Sequence, residues 1–164
     1  MEPLFVRPRA PLPAGETNYV TVRGLALLRA ERQRLVHERA QSMAIASDPD
    51  RERSLASVGG RLEALDERIG SARLVDSAAQ PHDQVRFGAR VTLRTEDGHE
   101  RCLTIVGIDE ADVATGRIAF VAPLARALLQ RRVGEVATVR TPRGEEQWEV
   151  VAIDYDRSGE PNDE

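Results

Sequence analysis

A heptad pattern in the middle of the chain restricts its fold more than any other feature. Apolar residues recur there at alternating steps of three and four, at Leu55, Val58, Leu62, Leu65, Ile69 and Ala72. This spacing gives one narrow apolar seam along an α-helix, as in a coiled coil, and a partner helix must cover such a seam. The pattern therefore predicts a long helix that packs against a second one.

The segment before this seam has the properties of the partner helix. Thr21 is a suitable N-cap, and Val22 to Ala46 is expected to be helical. Its apolar face contains Leu25, Leu28, Leu35, Val36, Ala40 and Met43. Because only a short turn separates the two patterns, we expect an antiparallel hairpin about 35 to 40 Å long, given a rise of ~1.5 Å per residue.

Gly59-Gly60 interrupts the second helical pattern, and each Gly costs about 1 kcal/mol relative to Ala in a helix. Two interpretations remain open. The pair is either a weakness that the partner helix tolerates, or a bend near the hairpin tip.

From Val85 onward, the pattern changes to short strands and turns. The expected strands are Arg90 to Leu93, Leu103 to Ile108, Arg117 to Val121, Ala137 to Thr141 and Gln147 to Ile153. Pro123 to Arg131 is expected to form one short helix, because Pro suits the first helical turn. The prediction is an α+β chain, in which an antiparallel sheet with one short helix follows the helical hairpin.

The chain therefore divides into five expected segments. They are a Pro-rich arm at 1–20, the hairpin at 21–74, a linker at 75–84, the sheet domain at 85–156 and a polar tail at 157–164. Proline and the loss of helical periodicity mark the linker.

Composition excludes several classes of protein. The formal net charge is −4, so any contact with nucleic acid must come from a local patch. Cys102 is the only cysteine, which rules out an intrachain disulfide and a cysteine-based zinc site. The chain shows no signal-peptide pattern and no apolar run of membrane-spanning length, so a cytoplasmic monomer with no membrane partner is expected.

The expected hairpin tip carries the octapeptide SDPDRERS, residues 47–54, with acids at Asp48, Asp50 and Glu52. Ser47 or Asp48 would cap the second helix, and acids in a first helical turn interact favourably with the helix dipole. The residues themselves therefore permit either a capping role or a metal-binding role.

A longer match extends over the second half of the chain. Ala122 to Leu129, followed by Arg132 to Val136, resembles the C-terminal domain of the bacterial transcript-cleavage elongation factors GreA and GreB. Further landmarks follow in the same order as in that family: Thr21 to Gly24, Leu74 to Asp76, Val85 to Ala89, Ile105 to Glu110, Thr141 to Glu145 and Trp148 to Tyr155. The resemblance covers about Thr21 to Tyr155 and implies an FKBP-like fold for the C-terminal domain.

The resemblance also implies a function. Members of the family bind RNA polymerase through the C-terminal domain, at the secondary-channel rim of the largest subunit, and insert the hairpin into the channel. Acids at the tip then help the active centre of the polymerase hold a second Mg²⁺ and a water, and the backtracked RNA 3′ end is cut. Such a factor is not itself an enzyme and has no cofactor of its own, since the Mg²⁺ is shared with the polymerase.

Only part of the family's tip carries over to this chain. Asp48 matches the family's Asp by position, but Arg51 stands where the family has Glu. Asp50 and Glu52 flank Arg51 and are the further candidates for assisting cleavage, with Asp48 and Asp50 as the expected metal ligands. Each arm is also shorter than in the family by about one heptad, which withdraws the tip by about 10 Å.

The resemblance assigns polymerase binding to the turn before the short helix, at Val121, Ala122 and Pro123, with Arg126 nearby. The alternative is that Pro123 simply begins the helix and its neighbours belong to the core.

Three functions remain open. The first is a GreA/GreB-type cleavage factor. The second is a divergent, short-hairpin relative that occupies the polymerase channel without stimulating cleavage, like the Rnk-type proteins. The third is a peptidyl-prolyl isomerase, which the FKBP-like fold alone allows, although the sheet region offers only Phe87, Phe120, Trp148 and Tyr155 for an aromatic pocket.

Overall fold

The structure is a computed structural model that describes residues 9–44 and 49–155. The chain forms two compact units. The hairpin unit contains residues 9–18 and 25–72, and the sheet unit contains residues 19–24 and 73–155. In the described part of the chain, no helix is long and apolar enough to cross a membrane.

Two helices form the hairpin, α1 at Val22–Ala44 and α2 at Pro49–Ser71. Each has 23 residues and is therefore about 35 Å long at ~1.5 Å per residue. Thr21 caps α1 as predicted, because its hydroxyl accepts a hydrogen bond from the Gly24 amide at 2.9 Å. The predicted final residues of this helix, 45 and 46, lie outside the described residues.

The helices run antiparallel, as two ion pairs between them demonstrate. Arg32 of α1 pairs with Asp66 of α2 at 2.5 Å, and Glu38 pairs with Arg61 at 2.8 Å. The buried apolar residues between the helices are Leu28, Leu35, Val58, Leu62 and Leu65. Burial of these side chains removes apolar surface from water and is the main term that holds the two helices together.

The predicted apolar face of α1 does not stay buried over its full length. Ala40 and Met43 are exposed, which corrects the expectation that they belong to the seam. The N-terminal part of α2, which lies opposite, explains this result. The first buried apolar residue of α2 is Val58. The polar stretch Asp50 to Ser54 offers no apolar cover near the tip.

Gly59 and Gly60 do not break α2, which is assigned as one uninterrupted helix. Between the two interpretations left open above, the structure supports a tolerated weakness. Each Gly costs about 1 kcal/mol of helix stability, and the packing of Val58 and Leu62 on either side offsets that cost.

The N-terminal segment is tied to the hairpin rather than projecting from it. Arg68 of α2 donates a hydrogen bond to the Ala10 carbonyl, and Arg9 pairs with Glu31 of α1. Asn18 is buried, and its side-chain amide donates to the Arg68 carbonyl at 2.8 Å. Asn18 thereby satisfies one of the carbonyl groups that the end of a helix leaves without an intrahelical partner.

The sheet unit contains two sheets and one α-helix. Its elements are β1 (Tyr19–Val20), β2 (Arg73–Leu74), β3 (Ala89–Arg94), β4 (Glu100–Val106), β5 (Arg117–Ala119), α3 (Pro123–Leu128), β6 (Val136–Thr141) and β7 (Gly144–Tyr155). Strands β1 and β2 form a short parallel pair, and the other five form a sheet in the order β5-β4-β3-β7-β6. The predicted α+β fold class is confirmed.

The five-stranded sheet is mixed rather than antiparallel. Strands β4 and β5 pair in parallel, with Thr104 opposite Arg117. Residues 107–116 form a crossover with two short 3₁₀ helices, and β5 then begins at Arg117, opposite Thr104 in the second half of β4. Apolar runs in the sequence predict where strands lie but not whether two strands pair in parallel, so they did not predict this crossover.

Helix α3 ends at Leu128, three residues before the predicted end at Arg131. Gln130 has a positive φ of 71°, which a helix interior does not permit. Its amide donates instead to the Val85 carbonyl at 2.7 Å and links the end of α3 to the start of the sheet domain.

One apolar core supports these elements. Buried residues from the strands and α3 form it: Val85, Ala89, Val91, Leu93, Leu103, Ile105, Ile118, Ala125, Leu128, Ala137, Val150 and Tyr155. The core fixes the position of α3 on the sheet, and so of the turn that precedes α3.

Candidate functional site

The hairpin tip is described on its α2 side. Helix α2 begins at Pro49, the position at which Pro fits a helix best, because its missing amide hydrogen would have no intrahelical acceptor there. Asp50 and Glu52 lie in the first turn and are both exposed. Asp48, the one acid that the family pattern matches by position, lies outside the described residues.

The two described acids do not converge. Residues two positions apart on an α-helix project about 200° from each other. Asp50 and Glu52 therefore face different sides of α2, and a single metal ion cannot take a ligand from both. Arg51 lies between them in the sequence and is half-buried.

The acids also stabilise α2. Carboxylates in the first turn interact favourably with the positive end of the helix dipole, by about 0.3–1 kcal/mol each. Within residues 9–44 and 49–155, no group of three or more His, Cys, Asp or Glu side chains is arranged to hold a metal ion. The described part of the tip can therefore offer one exposed carboxylate to a metal ion that other ligands hold.

The turn before α3 is the second predicted site. Ala122 precedes the helix in an extended conformation, and Pro123 follows it in the first turn. Pro123 and Arg126, three positions apart, are both exposed and share one face. Ala125 and Leu128 share another face and are buried in the core. The structure thus brings Pro123 and Arg126 together on the surface.

Val121 and Ala122 are half-buried. Ala122 packs against the core, and its amide donates to the Ala119 carbonyl at 2.9 Å. They therefore shape the turn and expose only part of their surface to a partner.

An aromatic cluster next to this turn joins Phe87 and Phe120, two of the aromatic residues named from the sequence, with Tyr19, which the sequence did not single out. Tyr19, Phe87 and Phe120 contact one another with ring centroids 5.5 to 5.9 Å apart, mostly edge to face. Such pairs are worth about 0.5–1.5 kcal/mol beyond the area that they bury. The cluster holds Phe120 directly before Val121 and so supports the position of the turn.

A buried carboxylate holds the first turn of α1 in the sheet unit. The side chain of Glu110 is 3% exposed; it accepts hydrogen bonds from the Thr21 hydroxyl at 2.5 Å and from Arg23 at 2.9 Å. Arg117 lies 3.9 Å away. A Cβ at Gly24 would lie 2.9 Å from a Glu110 oxygen, so the close approach requires glycine there. Because Thr21 and Glu110 are 89 residues apart, no local pattern predicts this contact.

Comparison with known proteins is informative for both units. A family model described as "Transcription elongation factor, GreA/GreB, C-term" matches residues 80–155. The transcription elongation factor GreB of Neisseria meningitidis serogroup B is 35% identical over 153 residues, which cover 84% of this chain and 94% of that protein. GreB of Pseudomonas aeruginosa is 37% identical over 163 residues, covering 91% and 96%.

A GreA protein matches over a shorter stretch. GreA of Francisella tularensis subsp. novicida is 38% identical over 100 residues, which cover 60% of this chain and 62% of that protein. Among solved structures, a prokaryotic transcription elongation factor GreA/GreB from Nitrosomonas europaea matches with a TM-score of 0.42 and 22% identity, covering 84% of this chain and 98% of that one.

Proposed function

Since the chain belongs to the GreA/GreB family of transcription elongation factors, we propose that it binds RNA polymerase through its sheet unit, inserts its hairpin into the secondary channel and promotes cleavage of backtracked RNA. The named relatives are transcription elongation factors rather than enzymes. The reaction would therefore belong to the polymerase, in the cytoplasm, and this chain would supply positioned side chains.

The observation that carries the proposal is the exposed, acid-bearing first turn of α2 at the tip of a two-helix hairpin. Mg²⁺ prefers hard oxygen ligands and commonly takes one or two carboxylates together with phosphate oxygens. A second Mg²⁺ in the polymerase active centre would activate a water for attack on the RNA phosphate. The role of this chain is to bring a carboxylate to that ion.

The geometry limits which acids act together. Asp50 and Glu52 face different sides of α2, so one of them at most would join Asp48 at one ion. The other would remain a helix-stabilising residue. Asp48 is the common member of either pair.

Docking is assigned to the turn before α3. Pro123 and Arg126 form its exposed face, while Val121 and Ala122 shape the turn beneath them. This face would contact the largest subunit at the rim of the secondary channel. Because α3 is fixed by its buried face, the turn would present the same surface with or without the polymerase.

Competition for the polymerase tests this docking. A labelled GreB is bound to the cognate polymerase and displaced by wild type, by the double variant Pro123→Asp/Arg126→Glu, or by Arg143→Glu. Asp is accepted at the start of a helix, so the double variant should still fold. We expect it to compete about tenfold less well, a loss of ~1.4 kcal/mol. Arg143→Glu, an exposed change of the same sign in the β6–β7 turn, should compete like wild type. Equal competition by all three proteins would contradict the docking assignment.

A second candidate function is channel occupancy without cleavage. Arg51 favours it, because a guanidinium close to the tip carboxylates repels a divalent cation. The same competition experiment separates the two candidates when RNA cleavage is followed in parallel. Displacement of labelled GreB with cleavage at the polymerase's own rate would identify the second function.

A further inference from the structure

A buried arginine near the end of α2 does not belong to the apolar seam. Arg68 lies in the last turn of α2 and is 7% exposed. Its neighbour Ile69 is a seam residue and is only half-buried. Two helices alone cover a narrow seam, so the burial of Arg68 indicates a third segment. That segment is residues 9–18, called the strap below, which belong to the same compact unit as the two helices.

The strap binds the end of α2 at two points. The side-chain amide of Asn18 donates hydrogen bonds to the Arg68 carbonyl at 2.8 Å and to the Ser71 hydroxyl at 3.2 Å. Eight residues earlier, the Ala10 carbonyl accepts a hydrogen bond from the Arg68 guanidinium. A turn at residues 13–16 lies between the two points. Both the main chain and the side chain of Arg68 therefore hold the strap.

The strap also binds α1. Arg9 forms an ion pair with Glu31, and the two side chains are 22% and 37% exposed. Glu31 of α1 and Arg68 of α2 thus each bind the strap, through Arg9 and the Ala10 carbonyl. The strap connects the two helices at this level of the hairpin.

One heptad nearer the tip, the equivalent residues pair without the strap. Glu38 of α1 and Arg61 of α2 form a direct ion pair at 2.8 Å. Glu31 precedes Glu38 by seven residues, and Arg68 follows Arg61 by seven. In antiparallel helices with a seven-residue repeat, such a shift leads to an equivalent pair of facing positions. The backbone therefore places Glu31 and Arg68 at positions suited to the same direct ion pair.

We propose that the strap is a releasable device: when it leaves, Glu31 and Arg68 exchange their contacts with it for an ion pair with each other. Release breaks the ion pair of Arg9 and the hydrogen bond to the Ala10 carbonyl, and the new pair offsets part of that loss. Because charge-assisted contacts hold both states, the hairpin stays closed with the strap bound or released. The proposal goes beyond polymerase binding and does not depend on it.

Trypsin cleavage after Arg9 measures release of the strap, because the Arg9 side chain must leave Glu31 to enter the protease. Cleavage follows the population of the open state when reclosing is fast. Glu31→Gln should accelerate the loss of residues 1–9, followed by mass spectrometry, about fivefold. The matched variant Glu38→Gln breaks the pair with Arg61 instead and should leave this rate unchanged. Equal rates of cleavage in the two variants would overturn the proposal.

A double-mutant cycle in the full chain carrying Arg9→Ala tests the exchange itself. Circular dichroism gives the melting temperatures of Glu31→Gln, Arg68→Gln and the double variant in this background. If Glu31 pairs with Arg68 once Arg9 is absent, each single change breaks the same pair. The double variant should then lose about 2 °C less than the two single losses combined.

Additive losses at positions 31 and 68 would overturn the exchange, because Glu31 would then have no contact with Arg68 after release. The same cycle at Glu38 and Arg61 in the same chain gives the reference size for a direct pair. Both experiments use the isolated chain, so their outcomes are distinct from the success or failure of polymerase binding.

Discussion

Tyr155 closes the end of the sheet domain with a single buried hydroxyl group. The hydroxyl donates to the Gln84 carbonyl at 2.5 Å and accepts from the Arg86 amide at 3.0 Å. Loss of these bonds leaves two backbone groups without their partner, so Tyr155→Phe should lower the free energy of unfolding by about 1–2 kcal/mol. Urea denaturation measures the change. Tyr19 gives the control: Tyr19→Phe keeps the ring that contacts Phe87 and Phe120 and should shift stability by less than about 0.5 kcal/mol.

The same residue makes stability depend on alkaline pH. Burial raises the pKa of Tyr155 above that of a free tyrosine. Below about pH 10, the phenol is neutral in both the folded and the unfolded chain, and its contribution is constant. Above that pH, the unfolded chain ionises first, so the free energy of unfolding falls as pH rises toward the folded-state pKa. Tyr155→Phe should make this fall less steep. Identical slopes for the two proteins between pH 9 and 11, near the reference value of about 10, would refute the prediction.

Glu110 and Arg68 are the buried charged residues in the described part of the chain. Glu110→Gln keeps the shape of the side chain but removes the charge that Thr21 and Arg23 bind, which should cost about 1–3 kcal/mol. Hydrogen exchange at the Gly24 amide should also accelerate, since Thr21 caps it. In the control, Glu100→Gln breaks an exposed pair with Arg94 and should cost less than about 1 kcal/mol. Equal losses of unfolding free energy in the two variants would show that burial does not strengthen the interactions of Glu110.

Among the elements, α2 carries a weakness that substitution should remove. A Cβ added at Gly59 or Gly60 would meet no atom within 4 Å. Gly59→Ala and Gly60→Ala should therefore each stabilise the hairpin by about 1 kcal/mol, because alanine favours the helix. Thermal unfolding tests this, with Gly88→Ala as the opposite case. Gly88 has a φ of 87° and close contact with Ser77, so alanine there should destabilise.

Helices and strands could be predicted from the sequence where the spacing of apolar residues, or a proline, marked them. The steps of three and four from Leu55 to Leu65 identified α2, and Pro123 identified the start of α3. The parallel pairing of β4 with β5 was not predictable, because hydrophobic runs do not encode strand direction. The short pair of β1 with β2 was missed for a related reason: two residues in each strand carry no alternation.

For the candidate sites, the sequence indicated which residue types they contain but only part of how those residues are arranged in space. The octapeptide at 47–54 identified the acids, but the helix start at Pro49 decides that Asp50 and Glu52 diverge. The contacts of Glu110 and the aromatic cluster both join segments that are distant in the sequence. Such contacts follow from the packed core and leave no trace in a local pattern.

For the whole molecule, the proposed function requires that the hairpin tip deliver a carboxylate to the polymerase active centre. Helices of 23 residues give a hairpin about 35 Å long, and under the proposed function the position of its end in the channel would decide whether cleavage is stimulated. A carboxylate ligand must approach Mg²⁺ to within about 2.1 Å. A measurement of RNA cleavage therefore tests both whether the hairpin is long enough to reach the ion and which carboxylate binds it.

The most direct measurement is RNA cleavage in a backtracked elongation complex assembled with the cognate polymerase. Wild type is compared with Asp48→Asn, Asp50→Asn and Glu52→Gln, which keep the side-chain shape and remove the charge. The proposed function predicts that wild type stimulates cleavage, that Asp48→Asn abolishes the stimulation, and that only one of the other two variants does so. No stimulation by wild type, or full stimulation by all three variants, would contradict it.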